Sequence, residues 1–528
     1  MTYNTRTYDT GGDPLLSLDR LSRLGIHRAW YEETVYGRRD AAELYPVKDG
    51  DDLRLRVPTA RIITHRHVGL EMTSPPQFKV GNEAAQAYLN RILKLNGIPG
   101  AMPGACITKS WGGDVGLFFT WKPTEKGIFG TPWQVGFIEP ETYEVHSRYP
   151  SGVFKEVDIY TFEDRPQPGV PGVMERWWKR TRYSHALVTV WPEVRGVVGD
   201  STRPDSAAFD AAGLEPGRAP QSTSNPLGVI PFVVIQNIAT GTQDWAGASD
   251  YQHLTQLFHR LNLHLDSVEQ GEQIRNRLML ALIDAEEVDV ELAAGLTALM
   301  VKSDQSGADD RAAQLHPTPL MTQGGTQLMF FSTLLDLVLE SARVTRTGSA
   351  KELFGNEAAS SSALRTYYAT QTAVTELKRS NWLGERADFG LSGFVRKLFQ
   401  AAQRLDSASP VKDAELDSPD YELTLDWPPM FALTAPEQQT LASVAQQAGD
   451  EGLPAEVVAP LWAKVLGTTS LKEQNLIVRA LKKQQEQVQA GLIVPPPSKR
   501  GILGSGQGDG LMPDGGSATV SGVDAAGR

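Results

Sequence analysis

The hydrophobic pattern of this chain changes its period near residue 249, and this change limits the possible folds more than any other feature. Between residues 105 and 149, runs such as VGLFFTWKP and WQVGFIEPETYEVHSRY alternate and are rich in aromatic residues. Such runs predict antiparallel strands joined by Gly and Pro turns. After residue 249 the apolar residues recur at helical spacing instead. The sequence therefore predicts an α+β fold in which a β-rich region precedes long helices.

The first long helix is predicted for residues 249–270, SDYQHLTQLFHRLNLHLDSVEQ. Ser249 and Asp250 are N-cap candidates, because a short polar side chain can accept a hydrogen bond from a free amide of the first turn. One face of the helix is apolar. The residues of this face are Tyr251, Leu254, Leu257, Phe258, Leu261, Leu265 and Val268.

A second amphipathic helix is predicted for residues 326–347, TQLMFFSTLLDLVLESARVTRT. Between the two helices, residues 276–322 are mixed and acidic and predict a small αβ subdomain. The apolar stripe of the second helix consists of Leu328, Phe331, Leu334, Leu335 and Val338.

A segment of small residues, GSAKELFGNEAASSSALRTYY (348–368), follows the second helix and carries a single lysine, Lys351. Helical sequence flanks it on both sides. The helical pattern that continues over residues 363–405 is predicted to form one long helix, kinked near Gly384 or Gly390. Flexible sequence between two strong helices is unusual and calls for a functional explanation.

The remaining elements follow from local pattern. We predict an opening helix over residues 14–36, a helix from Asn82 to Leu95, a surface loop at 198–225, a buried strand in NPLGVIPFVVIQN (225–237), a strand in YELTLDWPP (421–429), helices near 435–449, 454–466 and 470–490, and a disordered glycine-rich tail at 501–528.

Composition limits the function classes. The single cysteine, Cys106, excludes an intramolecular disulfide framework, and no apolar run approaches the roughly 20 residues of a membrane helix. We therefore expect a soluble protein used in a reducing cytosol, with no membrane partner. The formal net charge of −12 argues against tight sequence-independent binding of nucleic acid by the molecule as a whole.

Motifs that would indicate catalysis are weak. GACITKS (104–110) has Thr108 where a phosphate-binding loop needs glycine, so a turn leading into a strand or helix is the preferred interpretation. In HRH (65–67) the two histidines point apart and are interpreted as exposed helix residues rather than metal ligands. The histidines of residues 249–270 lack the spacing of a metalloprotease. We predict no catalytic, cofactor-binding or metal site.

The order of elements resembles that of the portal proteins of tailed bacteriophages, of the siphophage type. The resemblance is carried by the PTARIITHRHVGLEMTSPPQFKV segment (58–80), by the β-rich region, and by NPLGVIPFVVIQN leading to SDYQHLTQLFHRLN. It continues with SSSALRTYY (360–368) before a long helix and with the strand ending in DWPP. It spans roughly residues 14–490, and its departures are the 198–225 insertion and the glycine-rich tail.

The resemblance implies a ring of about twelve subunits at one capsid vertex, through which double-stranded DNA is packaged and ejected without sequence specificity and without catalysis by the ring. Implied partners are the major capsid protein, the large terminase subunit and the head-tail adaptor; implied locations are the virion and, during assembly, the host cytoplasm. The implied regions are an N-terminal wing part at 1–245, stem helices at 246–275 and 326–347, a clip at 276–325, a tunnel loop at 348–362, a long helix and wing return strand at 363–430, a crown of helices at 431–492 and a disordered tail at 493–528.

The resemblance also supplies candidate residues. Its tunnel loop, at the narrowest part of the channel, corresponds here to a segment with the candidates Lys351, Glu352, Asn356, Ser360 and Ser361. Its clip, which receives the packaging motor and the adaptor, corresponds to an acidic segment with the docking candidates Glu286, Glu287, Asp289, Asp309 and Asp310.

Two alternatives remain open. MERWWKRTRY (174–183) interleaves cations with aromatic residues, which could stack bases and bind phosphate, and the carboxylates from Asp284 to Glu291 could serve a nucleic-acid-processing enzyme. A strand with aromatic residues inward and cations outward explains the first pattern equally simply, and a solvated or docking face explains the second. A different head-tail structural protein is the other alternative, although such adaptors are usually shorter.

Overall fold

The chain divides into two compact units, residues 1–432 and 433–528. The computed structural model describes residues 18–42, 44–46, 56–125, 130–167, 174–196, 203–215, 217–241, 244–275, 280–283, 287–293, 296–302, 314–317, 324–345, 367–384, 386–407, 409–411, 415–430, 435–450, 453–455, 458–459, 461–462 and 471–489.

Helices and strands are mixed in the first unit, in agreement with the predicted α+β class. Its helices are α1 (Arg20–Glu32), α2 (Arg39–Ala42), α3 (Thr59–Glu71), α4 (Glu83–Leu95), α5 (Ile98–Gly112), α6 (Ser206–Gly213), α7 (Thr255–Arg275), α8 (Gly324–Ser341), α9 (Ala369–Leu383) and α10 (Gly390–Leu405). Its strands are β1 (Gln77–Val80), β2 (Asp114–Trp121), β3 (Trp133–Ile138), β4 (Tyr143–Arg148), β5 (Phe154–Pro166), β6 (Met174–Ser184), β7 (Leu187–Val190), β8 (Val194–Arg195), β9 (Gln221–Ser224), β10 (Phe232–Gln236), β11 (Ile238–Ala239), β12 (Gly247–Ala248), β13 (Leu280–Ile283), β14 (Glu287–Ala293), β15 (Leu296–Lys302), β16 (Gln314–Pro317) and β17 (Leu423–Asp426).

Two antiparallel sheets form the β-rich region that the alternating pattern predicts. One has the strand order β10-β2-β3, and the other has the order β4-β5-β6-β7-β9, with β8 also paired to β6. The first four residues of β10 are all buried, which confirms the buried strand predicted in NPLGVIPFVVIQN. The strand predicted near the end of this unit is confirmed as β17, which pairs with β1. The helix predicted from Asn82 is confirmed as α4, and the Asn82 side chain accepts a hydrogen bond from the amide of Ala85 at 3.0 Å.

Helix α5 separates two hydrophobic clusters. Met102 and Cys106 belong to the cluster shared with α4, α10 and the β2 sheet, whereas Trp111 belongs to the cluster shared with α1, α3 and α7. GACITKS lies inside this helix, so the predicted turn at that position is wrong. Because α5 is covered on both sides, its lysine cannot reach solvent: Lys109 is 0% exposed.

The long kinked helix predicted for residues 363–405 is instead two helices, α9 and α10, separated by residues 384–389. Gly384 and Gly390 bound the break with φ of 71° and 65°. A Cβ at Gly384 would lie 2.3 Å from the Phe389 carbonyl oxygen, so both the conformation and the space require glycine. The sequence located the irregularity correctly but not its extent.

Residues between the two glycines form hydrogen bonds with both sheets. The Asp388 carbonyl accepts from the Val234 amide of β10 at 3.0 Å, and its carboxylate accepts from the Phe154 amide of β5 at 2.7 Å. Lys397 of α10 binds the same carboxylate and donates to the Phe232 carbonyl at 2.8 Å. The break therefore joins both sheets to α10, which a continuous helix could not do.

The surface loop predicted for residues 198–225 contains regular structure. Asp205 caps helix α6 by accepting from the Ala208 amide at 2.9 Å, and β9 adds to the edge of the larger sheet. Phe209 is fully buried beneath α6, against Tyr160 and Trp178. This one large apolar residue is enough to hold α6 against the sheet. The polar composition of the segment gives no sign of the helix.

Helices α7 and α8 pack against each other, and the strands β13–β16 lie between them in sequence. We call α7 and α8 the helical hairpin. β13 pairs with β16 and β14 pairs with β15, both antiparallel. Helix α7 begins six residues after Ser249, so Ser249 and Asp250 are not its N-cap and that prediction is wrong. Among the described residues of 276–323, all the regular structure is strand.

The second unit contains helices α11 (Ala435–Asp450) and α12 (Leu471–Gln489), in agreement with two of the three helices predicted there. Short helical pieces at 455, 458–459 and 461–462 fall within the third. The predicted tail at 501–528 lies outside the described residues. Within the described parts of both units, no helix combines the length and the apolar character needed to cross a membrane.

Candidate functional site: the base of the helical hairpin

The candidate residues of the small-residue segment, Lys351, Glu352, Asn356, Ser360 and Ser361, all lie outside the described residues. The same holds for three of the acidic docking candidates, namely Glu286, Asp309 and Asp310. The other two are placed by backbone alone: in β14, Glu287 is opposite Lys302 and Asp289 is opposite Met300. Most of the predicted site residues thus lie outside the described part of the chain. The described residues next to them in sequence hold the two ends of the helical hairpin, and these residues form the candidate site.

The incoming end of the hairpin is held by Asp250, which lies five residues before α7. Its two carboxylate oxygens each accept from the Lys378 ammonium of α9 at 2.7 Å. Ser110 of α5 donates to one of these oxygens at 2.6 Å, and Asn237 donates to the other at 2.9 Å. The next residue, Tyr251, is hydrogen-bonded to Thr64 of α3. The chain therefore enters the hairpin through a buried ion pair shared by α3, α5 and α9.

A second buried ion pair lies alongside, between Glu71 of α3 and Lys109 of α5. Trp382 of α9 donates its indole N–H to Glu71 at 2.6 Å. Lys109, the lysine of GACITKS, is thus committed to a carboxylate inside the protein rather than available to a phosphate. The likeness of this segment to a nucleotide-binding loop is therefore one of sequence only, since its lysine forms a buried ion pair.

The outgoing end of the hairpin is held by backbone contacts to α3 and α9. His67 Nε2 lies 3.0 Å from the Ala342 carbonyl oxygen, and Arg66 donates to the Thr345 carbonyl at 2.8 Å. The Thr345 amide donates to Gln371 of α9 at 3.2 Å. His67 is 1% exposed, so the prediction that both HRH histidines are exposed is wrong for this one; His65 is exposed.

Both ends of the hairpin are therefore fixed to the same two helices, α3 and α9. We call this group the hairpin base; its residues are Thr64, Arg66, His67, Glu71, Lys109, Ser110, Asp250, Tyr251, Ala342, Thr345, Gln371, Lys378 and Trp382. At this point the outgoing end of the hairpin also contacts the start of α9, since the Thr345 amide donates to Gln371.

The charges of the hairpin base compensate one another. Burial raises the pKa of Asp250, but the Lys378 ammonium and the surrounding hydrogen bonds outweigh burial and hold that pKa below its usual value. Burial likewise raises the pKa of Glu71, and Lys109 and Lys378 more than reverse the effect. Two carboxylates facing two ammonium groups form a neutral, closely packed group. This arrangement stabilises a junction, because each of the four charges has a partner of opposite sign.

Among the described residues, three large apolar side chains of helix α8 are more than half exposed, although the Phe330 ring also contacts the edge of His264 on α7. Met329 is 73% exposed, Phe330 is 56% exposed and Leu337 is 51% exposed. At 3.6 residues per turn these three side chains lie within about 100° around the helix. Of the predicted stripe, Val338 is buried and Leu335 packs against the hydrophobic core, so the predicted stripe and this exposed sector are different faces.

The chain matches no protein-family model and no curated protein.

The cationic motif MERWWKRTRY lies on β6, where its arginines are paired with carboxylates. Arg180 is 1% exposed and binds Asp158 at 2.7 Å. Arg182 binds the same carboxylate, and Arg176 binds Asp164 at 2.8 Å. The prediction that the cations point outward is therefore wrong for Arg180. Paired arginines have little charge left for phosphate, which weakens the nucleic-acid-binding interpretation.

Within the described parts of the chain, no group of three His, Cys, Asp or Glu side chains is placed to hold a metal ion. Neither buried ion pair could have been found from the sequence alone, because each joins residues far apart in the chain. The only local signal was the Ser-Asp pair before α7, which has the form of a helix cap.

Proposed function

We propose that this chain is the portal protein of a tailed bacteriophage: a ring of about twelve copies at one capsid vertex that serves as the DNA channel. The observation that carries the proposal is the helical hairpin. It is fixed at both ends to a buried base, carries strands between its helices and presents an exposed apolar sector on α8. In the proposed arrangement α7 and α8 form the stem, β13–β16 belong to the clip, and residues 348–362 form the tunnel loop.

The exposed apolar sector supports an oligomer. Monomeric soluble proteins rarely leave neighbouring large apolar side chains in water, and a helix face of this kind is usually covered by a partner. A ring supplies that partner from a second copy of the same chain, by a head-to-tail contact that closes on itself. Met329, Phe330 and Leu337 would then be buried between neighbouring stems.

The charge of the chain supports a conduit. Each phosphate that a protein neutralises adds salt-dependent affinity, and affinity resists sliding. A chain with net charge −12, whose described arginines on β6 are paired with carboxylates, has a low capacity to hold DNA in place. The acidic clip segment would receive the large terminase subunit and afterwards the head-tail adaptor, while the major capsid protein would surround the wing.

The direct test is the assembly state of the purified full chain. Native mass spectrometry and negative-stain microscopy are expected to give a closed ring of about twelve copies with a central channel. The expectation follows from the exposed sector on α8, since a head-to-tail contact that covers this sector in every copy can close into a ring. A chain that stays monomeric or dimeric at micromolar concentration contradicts the proposal.

A narrower prediction concerns Lys351. If residues 348–362 face the DNA, Lys351→Ala is expected to change DNA packaging or retention while rings assemble normally, because one contact to phosphate is removed from each copy. The measurement is the amount of DNA retained by particles, with ring formation followed in parallel. Lys155→Ala, at an exposed position on β5, is the control. Failure of Lys351→Ala to assemble would assign Lys351 a structural role instead.

A further inference from the structure

His67 lies close to both ends of the helical hairpin. On its outgoing side, Nε2 faces the Ala342 carbonyl of the turn after α8 at 3.0 Å. On the incoming side, the neighbouring charges are Asp250, before α7, and its partner Lys378, on α9. Glu71, one turn along α3 and paired with Lys109, is the remaining charge that acts on the ring.

Burial and the neighbouring Lys378 ammonium favour the neutral form of the His67 ring. An imidazole that donates from Nε2 to a carbonyl must carry its single proton there, so Nδ1 is an acceptor. Nδ1 is buried and contacts no hydrogen-bond partner in the described structure. A second proton at Nδ1 would therefore create a buried N–H without an acceptor, in a position close to the Lys378 ammonium. Either effect disfavours the charged ring.

We propose that His67 is a pH-sensitive pin of the hairpin base: the ring fits its buried site only while it is neutral, so acid favours a state in which the protonated ring has left this site and no longer contacts Ala342 in the turn at residues 342–345. Arg66 and Gln371 hold the other end of this turn at Thr345, so loss of the His67 contact loosens the outgoing end of the hairpin without unfolding it. Asp250 and Lys378 remain paired and keep the incoming end in place. The proposed role of His67 does not depend on whether the chain forms a ring.

The pH range follows from the sign of the pKa shift. Burial lowers the pKa of His67, and Lys378 lowers it further, against the opposing effect of Asp250. The unfolded ring titrates near pH 6.5 and the folded ring titrates lower. The stabilising contribution of the neutral ring is therefore complete above about pH 6.5, and it is lost as the pH falls from there towards the folded pKa.

Hydrogen exchange of the full chain, read by mass spectrometry, tests the pin. The amide protection of residues 342–345, corrected for the intrinsic rate at each pH, is expected to fall by up to about tenfold per pH unit below 6.5. In His67→Gln it is expected to stay constant, because the glutamine amide can still donate to Ala342 but does not titrate. His65→Gln, at the exposed histidine of the same helix, is the control and is expected to behave as the unmodified protein.

A local measurement is needed because other buried histidines also titrate. Burial lowers the pKa of His27 to about 4, and burial lowers that of His259, so global stability alone would mix three groups. Protection at residues 342–345 that is independent of pH in the unmodified protein, or equally pH-dependent in His67→Gln, overturns the proposal. If His67→Gln does not fold, the pKa of His67 is measured in the unmodified protein from the pH dependence of hydrogen exchange at imidazole C2. A pKa of 6.5 or above also overturns the proposal.

Discussion

Replacing Asp250 with alanine is expected to lower the free energy of unfolding by about 3–5 kcal/mol, because it leaves the buried Lys378 ammonium without its counter-charge. Both side chains are at most 2% exposed, so water cannot take over the role of the missing carboxylate. Denaturant unfolding followed by circular dichroism measures the loss. The matched control is Asp426→Asn, which breaks the Lys79 ion pair on the surface and is expected to cost about 1 kcal/mol or less.

A double substitution separates the pair from its surroundings. Asp250→Leu combined with Lys378→Met removes both charges, and the doubly substituted protein is expected to be more stable than either single variant. Two losses that simply add would contradict a direct ion pair. Acid should reproduce part of the effect: because the folded pKa of Asp250 is below its usual value, the contribution of the pair is present above about pH 4 and is lost as the pH falls.

Placing charges on the exposed sector of α8 is expected to abolish assembly while the chain stays folded. Met329→Glu combined with Leu337→Glu puts two carboxylates where the proposed ring buries two apolar side chains. Each apolar side chain contributes about 1.5–3 kcal/mol when fully buried, and an unpaired charge there adds a further penalty. Because a closed ring repeats the contact at every subunit boundary, the loss is multiplied around the ring.

Size-exclusion chromatography with light scattering distinguishes the outcomes. The doubly substituted chain is expected to elute as a folded monomer with unchanged circular dichroism. Met174→Glu is the control, since Met174 on β6 is also 53% exposed but belongs to the larger sheet, and this variant is expected to assemble. Rings that persist with both α8 substitutions would show that another surface holds the copies together.

Local pattern predicted the elements well where one face of the chain meets a core. The alternation before residue 149 and the helix predicted from Asn82 correspond to the structure. So does β10, whose continuous apolar run is typical of a strand buried on both faces. Pattern failed where the composition of a helix is unusual. GACITKS looked like a turn because α5 is rich in glycine and proline, and α6 was concealed because one phenylalanine, Phe209, supplies its core contact.

The charged residues of the hairpin base show the limit most clearly. Ser249 and Asp250 were interpreted as a cap because helical sequence follows them, yet Asp250 is committed to Lys378, 128 positions away. The partners of His67 and Lys109 are also remote in the sequence. Local pattern therefore predicts an exposed position for His67 and a turn for Lys109. A pairing across such a distance leaves no periodic trace, since each partner is one ordinary polar residue in its own segment.

The sequence by itself determined the order of the main strands and helices and the two long amphipathic segments, because periodicity reports which face of an element is covered. Only the tertiary structure decided where the hairpin is fixed, why α9 and α10 are separate, and which lysines and arginines are neutralised. Those depend on which buried charges meet: a charge removed from water needs a partner within hydrogen-bonding distance, and the fold alone brings the partners together.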